Sequence, residues 1–476
     1  MAPLQKVVER SRQAPTAERR VHALPKPVIP GPSAPAEPAH AWRGLLLDSA
    51  RTAWSVEVIH ELLELMARYR LNRLHWHLTD DSGWRFAVPG YDRLTEIGAQ
   101  LPRPDYGWYS NVLPAQRDRA DARAAEREFN GHYTAEEIAG IVAHAGELGI
   151  EVMPELDLPG HMAAAIRAYP ELGDPRLRDL VPAQWDHPND LLWPSEASFA
   201  FLTAALETVA ELFPFSVVHI GGDECKHQLW EADPALMARY DEAAEAGSED
   251  GAGPEAVAEE RSEASSEARA GESSGPAASP QTGGPALPPN GPGSGRSGLG
   301  PRLQGMFTDH ARQVLAGRSR RVAAWDELIG SPTTGEELIV AWRAQAGVEA
   351  ARASGHEWIF ADCTRLYLNR VAGDPATEPP GMFGPITPRD ILELEVPSSS
   401  RLLGLQAAVW TEFVLDREHL LYQLFPRLLA VAERAWCGPD AGWEDFSARL
   451  ETETAHLREA GILREPDSPG EAPTAR

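Results

Sequence analysis

From Trp42 to about Arg464 the chain alternates short apolar runs with longer stretches whose apolar residues recur every three or four positions. The short runs suit strands, and the longer pattern suits amphipathic helices. Eight strands are predicted: Gly44–Leu47, Arg73–Leu78, Glu151–Glu155, Val217–Ile220, Val322–Trp325, Leu338–Trp342, Glu357–Ala361 and Leu403–Val409. Helical patterns separate most of them, among them Val56–Tyr69, Ala135–Leu148, Phe199–Leu212 and Met306–Leu315. Strands alternating with helices predict a parallel α/β sheet, and eight of them a closed (β/α)8 TIM barrel over residues 41–465.

Three segments fall outside this texture. Residues 1–40 are rich in Pro, Ala and charge and lack periodicity, so a loose, disordered arm is expected there, with a disordered tail over 466–476. Asp241–Pro301 contains no aromatic residue, Ile or Met, and holds 11 acids against 3 arginines. Such a segment buries too little apolar surface to offset its ordering entropy, so a disordered insertion is expected between strands four and five. It splits a helical hairpin with halves Pro234–Tyr240 and Leu303–Leu315.

Composition narrows the function. A 43% hydrophobic content over 476 residues supports a large core, and 14 tryptophans exceed what packing alone usually needs. A formal net charge of −27 argues against nucleic acid or an anionic membrane surface as partner. Cys225, Cys363 and Cys437 are far apart and form no CxxC pattern, which fits a reducing compartment. The first residues carry scattered charges rather than a signal-peptide run, and nothing longer reads as a membrane span. The chain as given is therefore expected in the cytoplasm, or secreted if the true start lies upstream.

The chemistry concentrates where strands end. Val217 to Glu224 reads VVHIGGDE, an apolar run closing in two glycines and two adjacent acids. Adjacent carboxyls repel, and pairs in unlike surroundings are how enzymes keep one acid protonated and the other ionised. The other predicted strand ends are also polar or aromatic: Asp48 and Arg51; Asp80 and Asp81; Glu155, Asp157 and His161; Trp325, Asp326 and Glu327; Trp342 and Arg343; Tyr367 and Asn369; Trp410 and Glu412. Flat aromatic walls with interspersed acids and an arginine suit a ring-shaped, hydroxylated ligand. His75, His219, Asp48 and Asp157 read as structural. Trp42, Trp54, Trp193 and Trp436 read as packing.

HIGGDE, RGLLLDSAR, NRLHWHLTDDSGWR, YTAEEIAGIVAHAGELGIEVMPELDLPGH and the late WTE resemble glycoside hydrolase family 20, the β-N-acetylhexosaminidases, from about Trp42 to Arg464. The resemblance implies exo-acting, retaining removal of a terminal N-acetylhexosamine from an oligosaccharide or glycoconjugate. The substrate's own acetamido oxygen is then the nucleophile, and the intermediate is an oxazolinium ion. It implies Glu224 as general acid and base, and Asp223 as an ionised carboxylate orienting the acetamido N–H. It gives Tyr367 a hydrogen bond to the acetamido oxygen. It makes Trp325, Trp342 and Trp410 the aromatic walls, with Trp325 the most peripheral. Arg51 and Glu412 would hold sugar hydroxyls, and an Asp80–His161 pair would touch the general acid. No metal or cofactor is implied.

Two departures stand out: about 40 residues precede the barrel, too few for the α+β domain common in the family, and the insertion is unusually long. Asn369 occupies a position where relatives often carry Asp. A neutral amide there predicts tolerance of 6-sulfated N-acetylglucosaminides, and Arg370 could add attraction by turning inward. Two other functions fit parts of the pattern. One is a metal-dependent amidohydrolase using the His75-Trp76-His77 pair with His161, His219 and Asp223, although that pair lies before the strand end. The other is a non-catalytic sugar-binding barrel.

Overall fold

The computed structural model describes residues 20–31, 34–100, 114, 116–118, 120, 131–179, 189–238, 298–382 and 384–463. Eight parallel strands close into one barrel in chain order: β1 (Trp42–Asp48), β2 (Arg73–His77), β3 (Glu151–Glu155), β4 (Val217–His219), β5 (Arg321–Trp325), β6 (Leu338–Ala341), β7 (Glu357–Phe360) and β8 (Leu402–Val409). Each lies within two residues of its predicted ends. Helices α1 (Val56–Arg68), α2 (Ala135–Glu147), α3 (Glu196–Leu212), α4 (Leu299–Gly317), α5 (Ala344–Ser354), α6 (Arg427–Cys437) and α7 (Trp443–Glu459) supply the outer layer.

Strand residues are apolar on both faces because both are covered. Leu45 and Leu47 of β1 join the core under the helices, whereas Leu46 points into the barrel with Met153, Val217, Ala323, Val340 and Ala408. The alternation carries into the next inward positions. There the side chains are His77, Glu155, His219 and Trp325, so the apolar plug gives way to a polar floor at the C-terminal ends of the strands.

The helices start where local chemistry permits. Ser55 caps α1, Thr134 closes a reciprocal capping box with Glu137 on α2, and Ser195 caps α3. Helix α4 begins at Leu299, so the last three residues assigned to the insertion are helical. Gly300 sits against His227, where a Cβ would come within 2.5 Å of that side chain. The rest of the expected insertion, 241–297, and the expected tail lie outside the described residues.

The described part of the N-terminal arm is not loose. Val21 and Ile29 are buried, the Val28 amide donates to Glu453 Oε2 (3.1 Å), and the Gly31 amide to Glu433 Oε2 (3.2 Å). Arg449 of α7 donates to the Val28 carbonyl, and Trp436 to the Pro35 carbonyl. Its few apolar residues are enough to anchor it because buried acids on α6 and α7 bind its backbone. Among the described residues no helix is long and apolar enough to cross a membrane.

Candidate active site

At the tip of β4 the chain passes through Gly221 (φ 65°) and Gly222 (φ 95°) before Asp223 and Glu224. A Cβ on Gly221 would lie 1.6 Å from Asp157 Oδ1, so only glycine fits there. The Asp157 carboxylate accepts from the Gly222 amide at 3.2 Å, and Gln304 of α4 donates to the Gly222 carbonyl at 2.7 Å. Glu224 is left-handed (φ 46°), a conformation that costs a non-glycine residue about 1–3 kcal/mol and that clusters at functional sites. The turn sends the two neighbours into unlike surroundings: the Asp223 side chain is 14% exposed and that of Glu224 50%.

His161 lies between them. Its Nε2 is 3.6 Å from Glu224 Oε2 and 3.9 Å from Asp223 Oδ2. On the other side Nδ1 is 3.0 Å from Asp81 Oδ2 and 3.6 Å from Asp80 Oδ1. The expected Asp80–His161 pair is a charge contact, and the hydrogen-bonded partner of His161 is Asp81. That carboxylate also accepts the Ala163 amide (3.1 Å) at the start of helix Ala163–Ala168, which fixes it under the imidazole. The other oxygen of Asp80, Oδ2, meets Arg51 (2.8 Å) and His77 (3.0 Å).

Arg51 is placed by buried neighbours. Asp48 accepts the Ala50 and Arg51 amides (2.8 and 3.1 Å), and Thr411 donates to its second oxygen (3.0 Å). The fully buried Arg85 binds the Ser49 and Ala50 carbonyls (2.9 and 2.6 Å). The Arg51 guanidinium lies 5.2 Å from the Trp410 ring.

Trp342 and Tyr367 stack with ring centroids 6.1 Å apart and planes 13° from parallel, and Trp410 stands 6.1 Å from Tyr367. These three rings form a wall. Trp342 donates to Glu327 Oε2 (3.0 Å), which holds its orientation. Trp325 is fully buried behind them, donating to Glu155 (2.9 Å) and lying 6.0 Å from Trp410. Asn369 is buried with its amide against Met382 Sδ (3.2 Å), and Arg370 donates from Nε to the Cys363 carbonyl.

Electrostatics set the protonation. Burial alone would lower His161, but Asp80 and Asp81 outweigh it and hold the ring well above the ordinary histidine value. The hydrogen bond from His161 lowers Glu224 below the usual glutamate value. Burial lifts Asp223 to about 6 with Glu224 adding to it, against the pull of His161. With the protein's own groups alone, a proton is held more tightly by Asp223 than by Glu224, and near pH 7 both are largely ionised. Burial raises Glu412 to about 7 despite Arg51, and Glu327 to about 9 with Asp326 and Asp223 beside it.

The polypeptide 40–253 and 298–439 matches the model of glycosyl hydrolase family 20, catalytic domain. The chain belongs to this family. Among family 20 relatives, a beta-hexosaminidase of Porphyromonas gingivalis is 29% identical over 93% of this chain and 49% of its own length. A beta-hexosaminidase of Vibrio furnissii is 30% identical over 83% of this chain and 56% of its own. The chain spans about half the length of these curated relatives. The family 20 exo beta-N-acetylglucosaminidase of Vibrio harveyi, solved with N-acetylglucosamine, superposes with a TM-score of 0.68 at 27% identity, over 90% of this chain and 60% of that one.

Glu155, His77, Asp81, Glu327 and Arg85 support the family 20 site without having been assigned to it from sequence. Their signal was position: all but Arg85 stand at or next to a strand end. His77 had been read as lying before the end of its strand, yet β2 stops at that residue. Among the described residues, three groups of side chains lie close enough to share an ion: His75, Glu155 and His219; Asp80, Asp81 and His161; Asp157, His161 and Asp223. In the first, the Glu155 oxygens are hydrogen-bonded by His77 (2.6 Å) and Trp325, with His75 and His219 in contact at 3.1 and 2.8 Å. His75 and His219 are structural in this sense, as is Asp48.

Proposed function

We propose that this chain is the catalytic part of an exo-acting β-N-acetylhexosaminidase that removes terminal N-acetylglucosamine or N-acetylgalactosamine with retention. One observation carries the reading: two adjacent carboxyls bracket a single histidine, next to a stacked Trp342–Tyr367 wall. Carboxyls handle protons, and the wall suits the flat acetamido group of the sugar.

The chemistry needs one proton on Glu224 and an anion at Asp223. Substrate supplies the change. An acetamido N–H donated to Asp223 stabilises its ionised form, and a leaving group laid over Glu224 removes water from it and raises its pKa. The proton then rests on Glu224, which passes it to the glycosidic oxygen. The acetamido oxygen attacks C1 as the C1–O bond to the leaving group breaks, and Asp223 offsets the positive charge on the oxazolinium. Glu224, now ionised, takes a proton from water as that water attacks C1 and opens the ring. Tyr367 would donate to the acetamido oxygen, while Arg51 and Glu412 would hold hydroxyls.

Release of free N-acetylhexosamine from a panel of synthetic β-glycosides tests the assignment, with a thiazoline analogue of N-acetylglucosamine expected to inhibit strongly. Turnover of β-glucosides equal to that of N-acetylglucosaminides would overturn it, as would a sugar ester trapped on Asp223 or Glu224.

A further inference from the structure

Beneath the site lies His77. It is fully buried at the last position of β2, with Nδ1 2.6 Å from Glu155 Oε2 and Nε2 3.0 Å from Asp80 Oδ2. A neutral imidazole has one N–H, so one of these contacts would set a nitrogen lone pair against a carboxylate oxygen. Both are hydrogen bonds only if the ring is the cation or one of the two acids keeps its proton, and the Trp325 N–H on Glu155 and the Arg51 guanidinium on Asp80 favour the ionised carboxylates. Glu155 is fixed from its other side, where Trp325 donates to Oε1 (2.9 Å) and His219 and His75 pack at 2.8 and 3.1 Å. Trp410 stands edge-on over the ring at 5.0 Å, between His77 and the site above.

A line of alternating charge results: Glu155, His77, Asp80, then Arg51 on one branch and His161 with Glu224 on the other. Burial opposes charging His77, but Glu155 and Asp80 prevail and hold it well above the ordinary histidine value. Asp80 needs such an anchor. Its Oδ2 is shared by His77 and Arg51 (2.8 Å) while Oδ1 faces His161 and accepts the Asp81 amide (2.6 Å), so His77 is one of the two cations that fix the carboxylate.

We propose that His77 is a positioning residue: a permanently charged imidazolium, bonded at both nitrogens, that locks Asp80 against His161 and thereby sets proton donation by Glu224. The kinetic part rests on the glycosidase reading above.

The test compares wild type and His77→Gln on two N-acetylglucosaminides, one with a dinitrophenolate leaving group that departs unaided and one disaccharide that needs acid help. Loss of acid assistance typically costs about 10²–10⁴-fold. His77→Gln should therefore lose at least about 10-fold more kcat/KM on the disaccharide than on the dinitrophenyl substrate. An equal loss on both, as from a merely loosened fold, overturns the proposal. Nitrogen-15 histidine spectra of the wild type give a second arm that holds even if the variant does not fold. The imidazole in contact with Trp410 should carry protons on both nitrogens from pH 6 to 8. A single N–H, or titration near pH 6.5, overturns it. Wild type inert on both substrates would sink the glycosidase reading, while the spectra still decide the charge of His77.

Discussion

Asp223 and Glu224 share a peptide bond, yet the left-handed turn gives them opposite electrostatic fates. They titrate as a pair, and the working form holds one proton between them. Raising the pH through about 6 removes that proton, and lowering it below the ordinary glutamate range adds a second, to Glu224. A plot of kcat/KM against pH should be a bell with its upper limb near 6, and undiminished activity at pH 8 would contradict the pairing. The same shift bears on stability. Asp223 rises from 3.8 to about 6 on folding, so its ionised form costs the native state nothing well below pH 4 and the full amount above pH 6. Asp223→Asn should raise the melting temperature at pH 8 but not at pH 4, by the equivalent of roughly 1–3 kcal/mol. Glu224→Gln should lower hydrolysis of a disaccharide by about 10²–10⁴-fold or more while ligand binding persists. At Asn369, substitution by Asp should reduce any turnover of a 6-sulfated N-acetylglucosaminide, since a carboxylate repels the sulfate. Equal discrimination in both proteins would remove that idea.

At the scale of elements, the catalytic constellation depends on loops whose backbone is held by buried groups elsewhere. Arg85 clasps the loop that carries Arg51, Asp81 anchors the turn before helix Ala163–Ala168, and Gln304 of α4 reaches the carbonyl of Gly222. The N-terminal segment is held in the same way. Glu453 is fully buried on α7 and accepts from Arg68 (2.8 Å), Tyr69 (2.9 Å) and the Val28 amide. Removing one partner of a buried charge pair costs about 3–5 kcal/mol because the remaining charge is left uncompensated. Glu453→Ala should lower the urea midpoint accordingly and expose residues 20–31 to protease, with kcat of the folded fraction unchanged. A variant as stable as the parent would show that this segment is not anchored there.

For the whole molecule, the long segment after β4 stands apart. Helical residues 234–238 lead out of the barrel wall, and α4 returns beside His227 and Glu231. Closing a loop costs only about 0.6 kcal/mol per doubling of length, so shortening it changes stability little. Joining residue 240 to 298 through a short turn should leave the circular-dichroism spectrum and kcat close to those of the full chain. A collapse of solubility or activity would show that 241–297 supports the barrel. The segment also carries 8 of the 27 excess negative charges, so the shortened protein should elute earlier than the full chain from an anion-exchange column.

The amino-acid sequence by itself determined the barrel, because both of its signals are local. Apolar runs of strand length such as Leu45–Leu47 and amphipathic stretches such as Val56–Arg68 need no knowledge of distant residues to be read. The residues at the strand ends were legible for the same reason, since parallel strands deliver their C-terminal tips to one face. What only the tertiary structure decided was pairing and protonation. Whether Asp80 or Asp81 meets His161 depends on a rotation within one turn, settled by the Ala163 amide across the loop. Whether Trp325 lies at the rim or in the floor depends on Glu155, 170 positions away in the chain. The anchoring of residues 20–31 rests on Glu433 and Glu453, more than 400 positions away, and their composition carries no trace of it. Electric fields and burial act through space, and neighbours in space are not neighbours in sequence.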